Sequence, residues 1–227
     1  MQAIYPLSEL NRRISRFRKI MTNHHPGWQM AVVFSKINLL YFTGTMPDGM
    51  LIITPNEDAT LWVRRSYERS LQESEFPDIR PMGSYRDASV VYGALPETIF
   101  LETEFVPLAM YKRFCKHFPF REYQPLDLQL AVTRAVKSPL ELDFMEQAGA
   151  IHQRVLEEKV PAILREGMTE ADLAGELYQT MVQEGHHGVA RFGMFDTEIA
   201  VAQLGFGESS LYPTNFDGPG GNLGLNA

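Results

Sequence analysis

The sequence predicts an α/β protein, because helix-like and strand-like segments alternate through roughly its first 130 residues. A helix is indicated from Ser8 to Met21, where apolar residues fall three or four positions apart with Arg and Lys between them, and Ser8 is placed to be its N-cap. Strands are indicated by short apolar or β-branched runs bounded by Gly, Pro, Asn or Asp, namely residues 30–34, 50–54, 59–63, 79–83 and 98–102. We therefore expect a sheet that covers the apolar face of the helix.

The segments between and after these strands complete the first part of the chain. Residues 55–58, Pro-Asn-Glu-Asp, are typical of a turn, so the strands on either side are expected to form a hairpin. Residues 66–74 are expected to form a short polar helix, and residues 107–118 a helix whose apolar positions recur at helical spacing. Residues 122–133 are extended in character and contain Pro125, which places a domain boundary near residues 125–136.

Composition limits the classes of function. With 44% hydrophobic and 22% charged residues the chain has the material for a core, and disorder is not expected. A net charge of -7 argues against nucleic acid and anionic lipid as partners, since both favour clustered Lys and Arg. The single Cys115 is expected to be a buried or half-buried thiol in a helix. Neither a signal peptide nor a membrane-spanning run is present, so we expect no membrane association and a cytoplasmic location.

A second part of the chain opens with a strongly capped helix. Ser138 can accept the backbone N–H of Glu141 while Glu141 reaches back to Ser138, and Pro139 takes the first helical position, where its missing N–H costs nothing. One face of this helix is expected to carry an apolar row, namely Leu140, Phe144, Ala148, Ile151 and Val155.

A further helix is expected to begin at Thr169, with Asp172 at its third position. Gly185 is placed to end that helix in the left-handed conformation. The chain then becomes Gly-rich over residues 217–224, which is typical of a loop.

Two short motifs link this order of elements to a known family. Residues 38–44, Asn-Leu-Leu-Tyr-Phe-Thr-Gly, resemble the Asn-Ile-x-Tyr-Leu-Thr/Ser-Gly motif of the creatinase amino-terminal domain, and Gly44 can supply the positive φ that ends the segment while Leu40 and Phe42 pack inward. Residues 134–142 resemble the Arg-x-x-Lys-Ser/Thr-x-x-Glu-Leu run that opens the catalytic domain of the pita-bread metallopeptidases. These are creatinase, Xaa-Pro dipeptidase (prolidase) and aminopeptidase P.

The resemblance implies a fold and a division of the chain. Residues 1–132 would form a creatinase-like amino-terminal domain, a mixed sheet with flanking helices. Residues 133–227 would form the start of an α+β pita-bread domain. Because only about 90 residues follow Ser138, too few for that domain with its metal ligands, we expect the chain to be a fragment.

The resemblance also implies an activity for the complete protein. Members of the family are dinuclear Mn, Co or Zn hydrolases that act on bonds preceding proline, and the amino-terminal domain supports homodimer formation. A two-metal site needs several carboxylates that converge on one point, and this sequence offers no such set. We therefore expect the chain by itself to have no catalytic residue, no bound metal and no activity.

Three residues are candidates for binding a substrate. In prolidase-like enzymes a His lies seven positions after a strand-ending Gly, and here Thr214 lies seven positions after Gly207. A hydroxyl can donate a hydrogen bond but cannot carry the positive charge of an imidazolium, which puts standard prolidase activity in doubt. The run from His187 to Arg191 is similar to one in a divergent subgroup, where the Arg would face a substrate carboxylate. A surface position for Arg191 and a loop position for the pair His186-His187 are the simpler interpretations.

Two other functions stay open. The same pair of folds occurs in peptide- and histone-binding proteins that have lost their metal ligands, so a non-catalytic binding module is one alternative. A creatinase-like hydrolase of a small guanidino or amide substrate is the other.

Overall fold

The computed structural model describes residues 4–57, 59–191, 198–201 and 204–211. The chain divides into two compact units, residues 1–136 and 137–227, which are described separately below. No helix within the described ranges is long and apolar enough to cross a membrane.

The first unit is built on a six-stranded mixed sheet, as the family resemblance implies. The strand order is β4-β3-β2-β1-β5-β6. The pairs β1–β2 and β2–β3 are antiparallel, and the other three pairs are parallel. The strands are β1 (Ala31–Val33), β2 (Asp48–Ile53), β3 (Thr60–Arg65), β4 (Ile79–Pro81), β5 (Thr98–Leu101) and β6 (Glu122–Pro125).

Six helices cover the two faces of this sheet. They are α1 (Leu7–His24), α2 (Lys36–Thr43), α3 (Tyr67–Glu73), α4 (Tyr85–Tyr92), α5 (Leu108–Cys115) and α6 (Asp127–Ala135). Alternate strand residues enter two separate apolar clusters, as a period of two requires. Leu51 and Leu61 lie in the cluster with α1, α2 and α6, whereas Met50 and Trp62 lie in the cluster with α4 and α5. The predicted sheet with helices on its surface is therefore confirmed as a three-layer arrangement.

The predicted hairpin is the antiparallel pair β2–β3, in which Met50 lies opposite Trp62. The register shifts between Asp48 and Gly49. A Cβ atom at Gly49 would stand 2.1 Å from the carbonyl oxygen of Trp62, so this bulge accepts only glycine. Asp58, the last of the predicted turn residues, lies outside the described residues.

Two local predictions in the first unit were wrong. Helix α1 begins at Leu7 rather than after Ser8, and Pro6 is its N-cap. The carboxylate of Glu75 accepts the backbone N–H of Leu7 at 2.7 Å, so a distant side chain replaces the expected Ser8 cap. Residues 122–133 were expected to be extended, but only residues 122–125 are a strand, and helix α6 follows from Asp127, because Leu126 and Leu130, four positions apart, both enter the core.

The Asn38–Gly44 motif forms most of a helix, α2, and not only a turn with packing residues. Gly44 ends it with φ 75°, as predicted. Phe42 is fully buried, but its inward-facing companion is Leu39, since Leu40 is only half-buried. Residues 39 and 42, three positions apart on one face of the helix, therefore pack inward instead of the expected pair Leu40 and Phe42.

The second unit is mainly helical. It contains α7 (Pro139–Arg154), a π-helical segment (Val155–Lys159), α8 (Val160–Ile163), α9 (Glu170–Gln183), strands β7 (Ala190–Arg191) and β8 (Glu198–Ile199), and a 3₁₀ helix (Gly207–Leu211). The π-helical segment ends two residues before Pro161. Proline has no N–H to donate to the carbonyl four residues earlier, and its ring crowds that carbonyl, which accounts for the change of helical pitch.

The predicted helix ends of the second unit are confirmed. Ser138 with Glu141 and Thr169 with Asp172 each form a reciprocal capping box. Gly185, at φ 100°, and the residue after it donate back to the last turn of α9, from Gly185 to Val182 O and from His186 to Met181 O.

Candidate functional site

The buried carboxylate of Glu102 organises the Asn38–Gly44 motif in the first unit. Glu102 follows β5 and is fully buried. It accepts hydrogen bonds from the backbone N–H groups of Phe34 and Ser35, the latter at 2.8 Å, and from Asn38 Nδ2 at 2.6 Å. Asn38 Oδ1 in turn accepts from Arg134 at 3.0 Å. One chain of hydrogen bonds therefore joins β5, the start of α2 and the end of α6.

Two effects act in opposite directions on the charge of Glu102. Burial raises the pKa of the Glu102 carboxyl above its ordinary value of 4.5, and the hydrogen bonds from Asn38, Ser35 and Phe34 partly oppose that rise. A buried carboxylate is retained in a fold when its oxygens have donors, as they have here. The hydrogen bonds of Glu102 therefore stabilise the start of α2, and among the described residues they give Glu102 a structural role.

Other polar groups of the motif also point into the unit. The Arg13 guanidinium, 2% exposed, lies 4.4 Å from the centre of the Tyr41 ring and donates to the Tyr41 carbonyl at 2.7 Å. The Thr43 hydroxyl donates to Leu39 O at 2.8 Å. The motif thus packs helices of the first unit together, and the contacts described here give it a structural role.

The three candidate substrate-binding residues belong to the second unit. His187 is exposed and follows the turn at Gly185. Arg191 lies on β7, largely exposed, and forms an ion pair with Glu198 on β8 at 2.7 Å. Thr214 lies outside the described residues. No hydrogen bond or ion pair within the described ranges joins His187 to Arg191. Whether these residues bind a substrate therefore stays a prediction.

His186, the neighbour of His187, has a structural environment. Its Nε2 lies 3.2 Å from the carbonyl oxygen of Ala200, and its ring meets Tyr178 edge-on at 6.4 Å between centroids. The described part of the chain contains no group of three or more His, Cys, Asp or Glu side chains that could hold a metal ion.

An apolar groove of about 310 Å³ lies between α7, its π-helical extension and α9. Its floor is made of aliphatic side chains, namely Ala148, Ile151, Val155, Leu156, Leu177 and Met181. Glu184 at its rim accepts from Arg154 Nε at 3.0 Å, and this guanidinium lowers the pKa of the Glu184 carboxyl. The sequence indicates the apolar rows of both helices but not the groove, because only the folded chain brings α7 and α9 together.

Comparison with known proteins decides the family. Residues 13–136 match the model of the creatinase/prolidase N-terminal domain, which is more than half of the chain. The chain belongs to this family. The match runs from within α1 to the end of α6 and thus includes both motif residues that support the buried carboxylate, Asn38 and Arg134.

This creatinase/prolidase-family chain also has curated relatives. It is 24% identical over 191 residues to an uncharacterized peptidase of Staphylococcus aureus strain USA300 and to another of strain NCTC 8325. Each alignment covers 81% of this chain and 51% of the relative. The chain therefore spans about half the length of the curated relatives that it matches.

Solved structures share the fold. A prolidase from Pyrococcus horikoshii OT3 is similar with a TM-score of 0.66 at 20% identity, over 78% of this chain and 50% of the other. An Xaa-Pro dipeptidase from Bacillus anthracis has a TM-score of 0.69 at 16% identity, over 80% and 51%. An X-Pro aminopeptidase from Thermotoga maritima has a TM-score of 0.60 at 26% identity, over 78% and 51%. Since 136 of 227 residues lie in the first unit, coverage of about four fifths extends the likeness into the second.

Proposed function

We propose that this chain is the amino-terminal half of a metal-dependent hydrolase that cleaves Xaa-Pro dipeptides or the amino-terminal residue before a proline. The observation that carries the proposal is the family match over residues 13–136, followed by likeness to a prolidase, an Xaa-Pro dipeptidase and an X-Pro aminopeptidase that runs into the second unit. In this proposal the first unit is a scaffold and the complete protein is a cytoplasmic homodimer.

The second unit would supply the helical layer of the catalytic domain. Its groove exposes aliphatic side chains, and within the described residues its β7–β8 ribbon pairs two residues of each strand. A two-stranded ribbon is marginal without further strands, so more sheet is needed to build a catalytic site beside it. The divalent Mn, Co or Zn ions would be held by carboxylates and a His supplied after Ala227.

The first test is the reading frame that follows residue 227. The proposal requires an Asp on a strand, a second Asp across a hairpin, then a His and two Glu on later strands, because such a set can bridge two divalent ions and orient a water between them. A continuation that lacks these five residues would favour the non-catalytic binding module.

The second test measures metal and activity together. The chain of residues 1–227 and the product of the complete reading frame are washed with chelator, incubated with Mn or Co, and assayed on Xaa-Pro dipeptides. We expect metal binding and cleavage only with the complete product. Stoichiometric metal on the 227-residue chain would contradict the proposed division of labour.

Thr214 gives a sharper version of this test. In the complete protein Thr214→His is expected to raise the cleavage rate of Xaa-Pro dipeptides, since an imidazolium can both donate a hydrogen bond and carry positive charge. Thr214→Asn is the matched control, because an amide donates without charge. Equal rates for the three proteins would remove Thr214 from the substrate site.

A further inference from the structure

The two edge strands of the first unit share a hydrogen-bonding register that places a proline on the outward side of each edge. In β6 the backbone N–H groups of Glu122 and Leu126 donate inward, to Glu97 O at 2.9 Å and Leu101 O at 2.8 Å. In a strand, successive N–H groups point to opposite sides, so Tyr123 and Pro125 direct their backbone away from the sheet. Pro125 therefore stands where a free N–H would face an incoming strand.

The opposite edge repeats this arrangement. In β4 the carbonyl of Asp78 accepts from Leu61 at 2.9 Å, and the N–H of Met82 donates to Val63 O at 2.8 Å. Ile79 and Pro81 are consequently the outward residues of β4. Both edges thus carry proline at the last strand position, on the outward side, and both prolines are exposed.

The two edges differ in one respect. The Tyr67 hydroxyl of α3 donates to the outward carbonyl of Ile79 at 3.5 Å, which gives β4 a second cover. On β6 the side chain of Tyr123 is 48% exposed and packs against Tyr111 at 5.4 Å. The outward backbone of β6 accordingly depends more on Pro125 than that of β4 depends on Pro81.

We propose that Pro81 and Pro125 guard the sheet edges of the first unit against pairing with a strand of another chain, including a second copy. Exposed edge strands present unpaired donors and acceptors that recruit other chains, and proline on the outward side removes a donor without disturbing the inward ladder. It follows that a peptide or protein partner of this unit would not bind by extending its sheet.

The test replaces each of the two edge prolines in the full 227-residue chain. Pro125→Val restores the outward N–H in a residue that favours strands, and Pro81→Val does the same at the better covered edge. In sedimentation velocity, the average mass of both variants should increase with protein concentration more than that of the wild type. This increase should be at least severalfold larger for Pro125→Val than for Pro81→Val. Hydrogen exchange at Tyr123 should slow by tenfold or more in the associated Pro125→Val protein.

Two controls decide the interpretation. Adding Tyr123→Pro to Pro125→Val moves the proline to the neighbouring outward position, and the association should return to the wild-type level. Pro107→Val, at the N-cap of α5 and in neither edge strand, should leave association unchanged. Wild-type mass and exchange in Pro125→Val would overturn the proposal. Loss of its folded state would overturn it too, because the proline would then belong to the fold and not to its edge.

Discussion

The two units of the chain differ sharply in how many of their apolar side chains are buried. In the described part of the second unit the buried apolar residues are Val155, Leu173 and Leu177, whereas the first unit has buried clusters on both faces of its sheet. Helix α7 has sixteen residues and buries none of them. Local capping interactions are therefore enough to define helix α7. A buried core also requires a second layer of structure that covers the apolar side of the helix.

The largest expected effect of this difference is on proteolysis. Local opening is easiest where few apolar contacts must be broken, so the second unit should be cleaved first. Brief digestion should leave a resistant product that ends near residues 125–140, as mass spectrometry would show. Preferential cleavage within residues 30–100 would contradict the comparison.

The next largest difference between the units should appear in the free energy of unfolding when one aromatic side chain in each is truncated. Phe42→Ala removes a fully buried ring that meets Phe17 edge-on at 5.4 Å, and the free energy of unfolding of the first unit should fall by about 3–5 kcal/mol. Phe144→Ala is the matched change in α7, where the residue is 39% exposed, and should cost less than about 1 kcal/mol. Urea unfolding followed by far-UV circular dichroism measures both. Equal losses would mean that α7 is buried in solution.

Glu102 should give the first unit a pH dependence opposite in sign to that from Glu184 in the second unit, because the pKa of the Glu102 carboxyl is raised and that of the Glu184 carboxyl is lowered. Because burial raises the pKa of the Glu102 carboxyl, the folded state holds the proton more tightly than the unfolded state. The contribution of Glu102 to stability is therefore full below its ordinary value of 4.5 and decreases as pH rises from there to the raised pKa. Glu102→Gln should flatten this part of the curve of unfolding free energy against pH.

The same variant has a cost that does not depend on pH. The amide would place a donor toward Asn38 or a backbone N–H, and an unsatisfied buried group costs about 1–3 kcal/mol. Glu122→Gln is the control, since Glu122 is exposed on β6. A slope that persists in Glu102→Gln would assign the pH dependence to another group.

The smallest effects should come from three equivalent helix caps. Ser84, Ser138 and Thr169 all form reciprocal capping boxes, the first in the first unit and the others in the second. Each change to Ala should cost about 1 kcal/mol locally. Hydrogen exchange should nevertheless accelerate over more residues in Ser138→Ala and Thr169→Ala than in Ser84→Ala, because fewer buried side chains hold the second unit together. Accelerated exchange over the same number of residues in all three variants would contradict the weaker packing of the second unit.

What the sequence determined by itself was local. The capping boxes at Ser138 and Thr169, the left-handed Gly185 and the β2–β3 hairpin all depend on residues within a few positions of one another, so their patterns predict them. The order of these elements together with two motifs also indicated the family. The alternation of helices and strands indicated the α/β class, because periodicity reports which side of an element is buried.

Only the tertiary structure decided the remaining features. The start of α1 depends on Glu75, 68 positions from Leu7, and the Asn38–Arg134 hydrogen bond spans 96 positions. Which residues of β4 and β6 face outward depends on their neighbours in the sheet, so Pro81 and Pro125 acquire a meaning only once the strands are paired. Sequence patterns describe short-range preferences, whereas these features arise from contacts that exist only after the chain has folded.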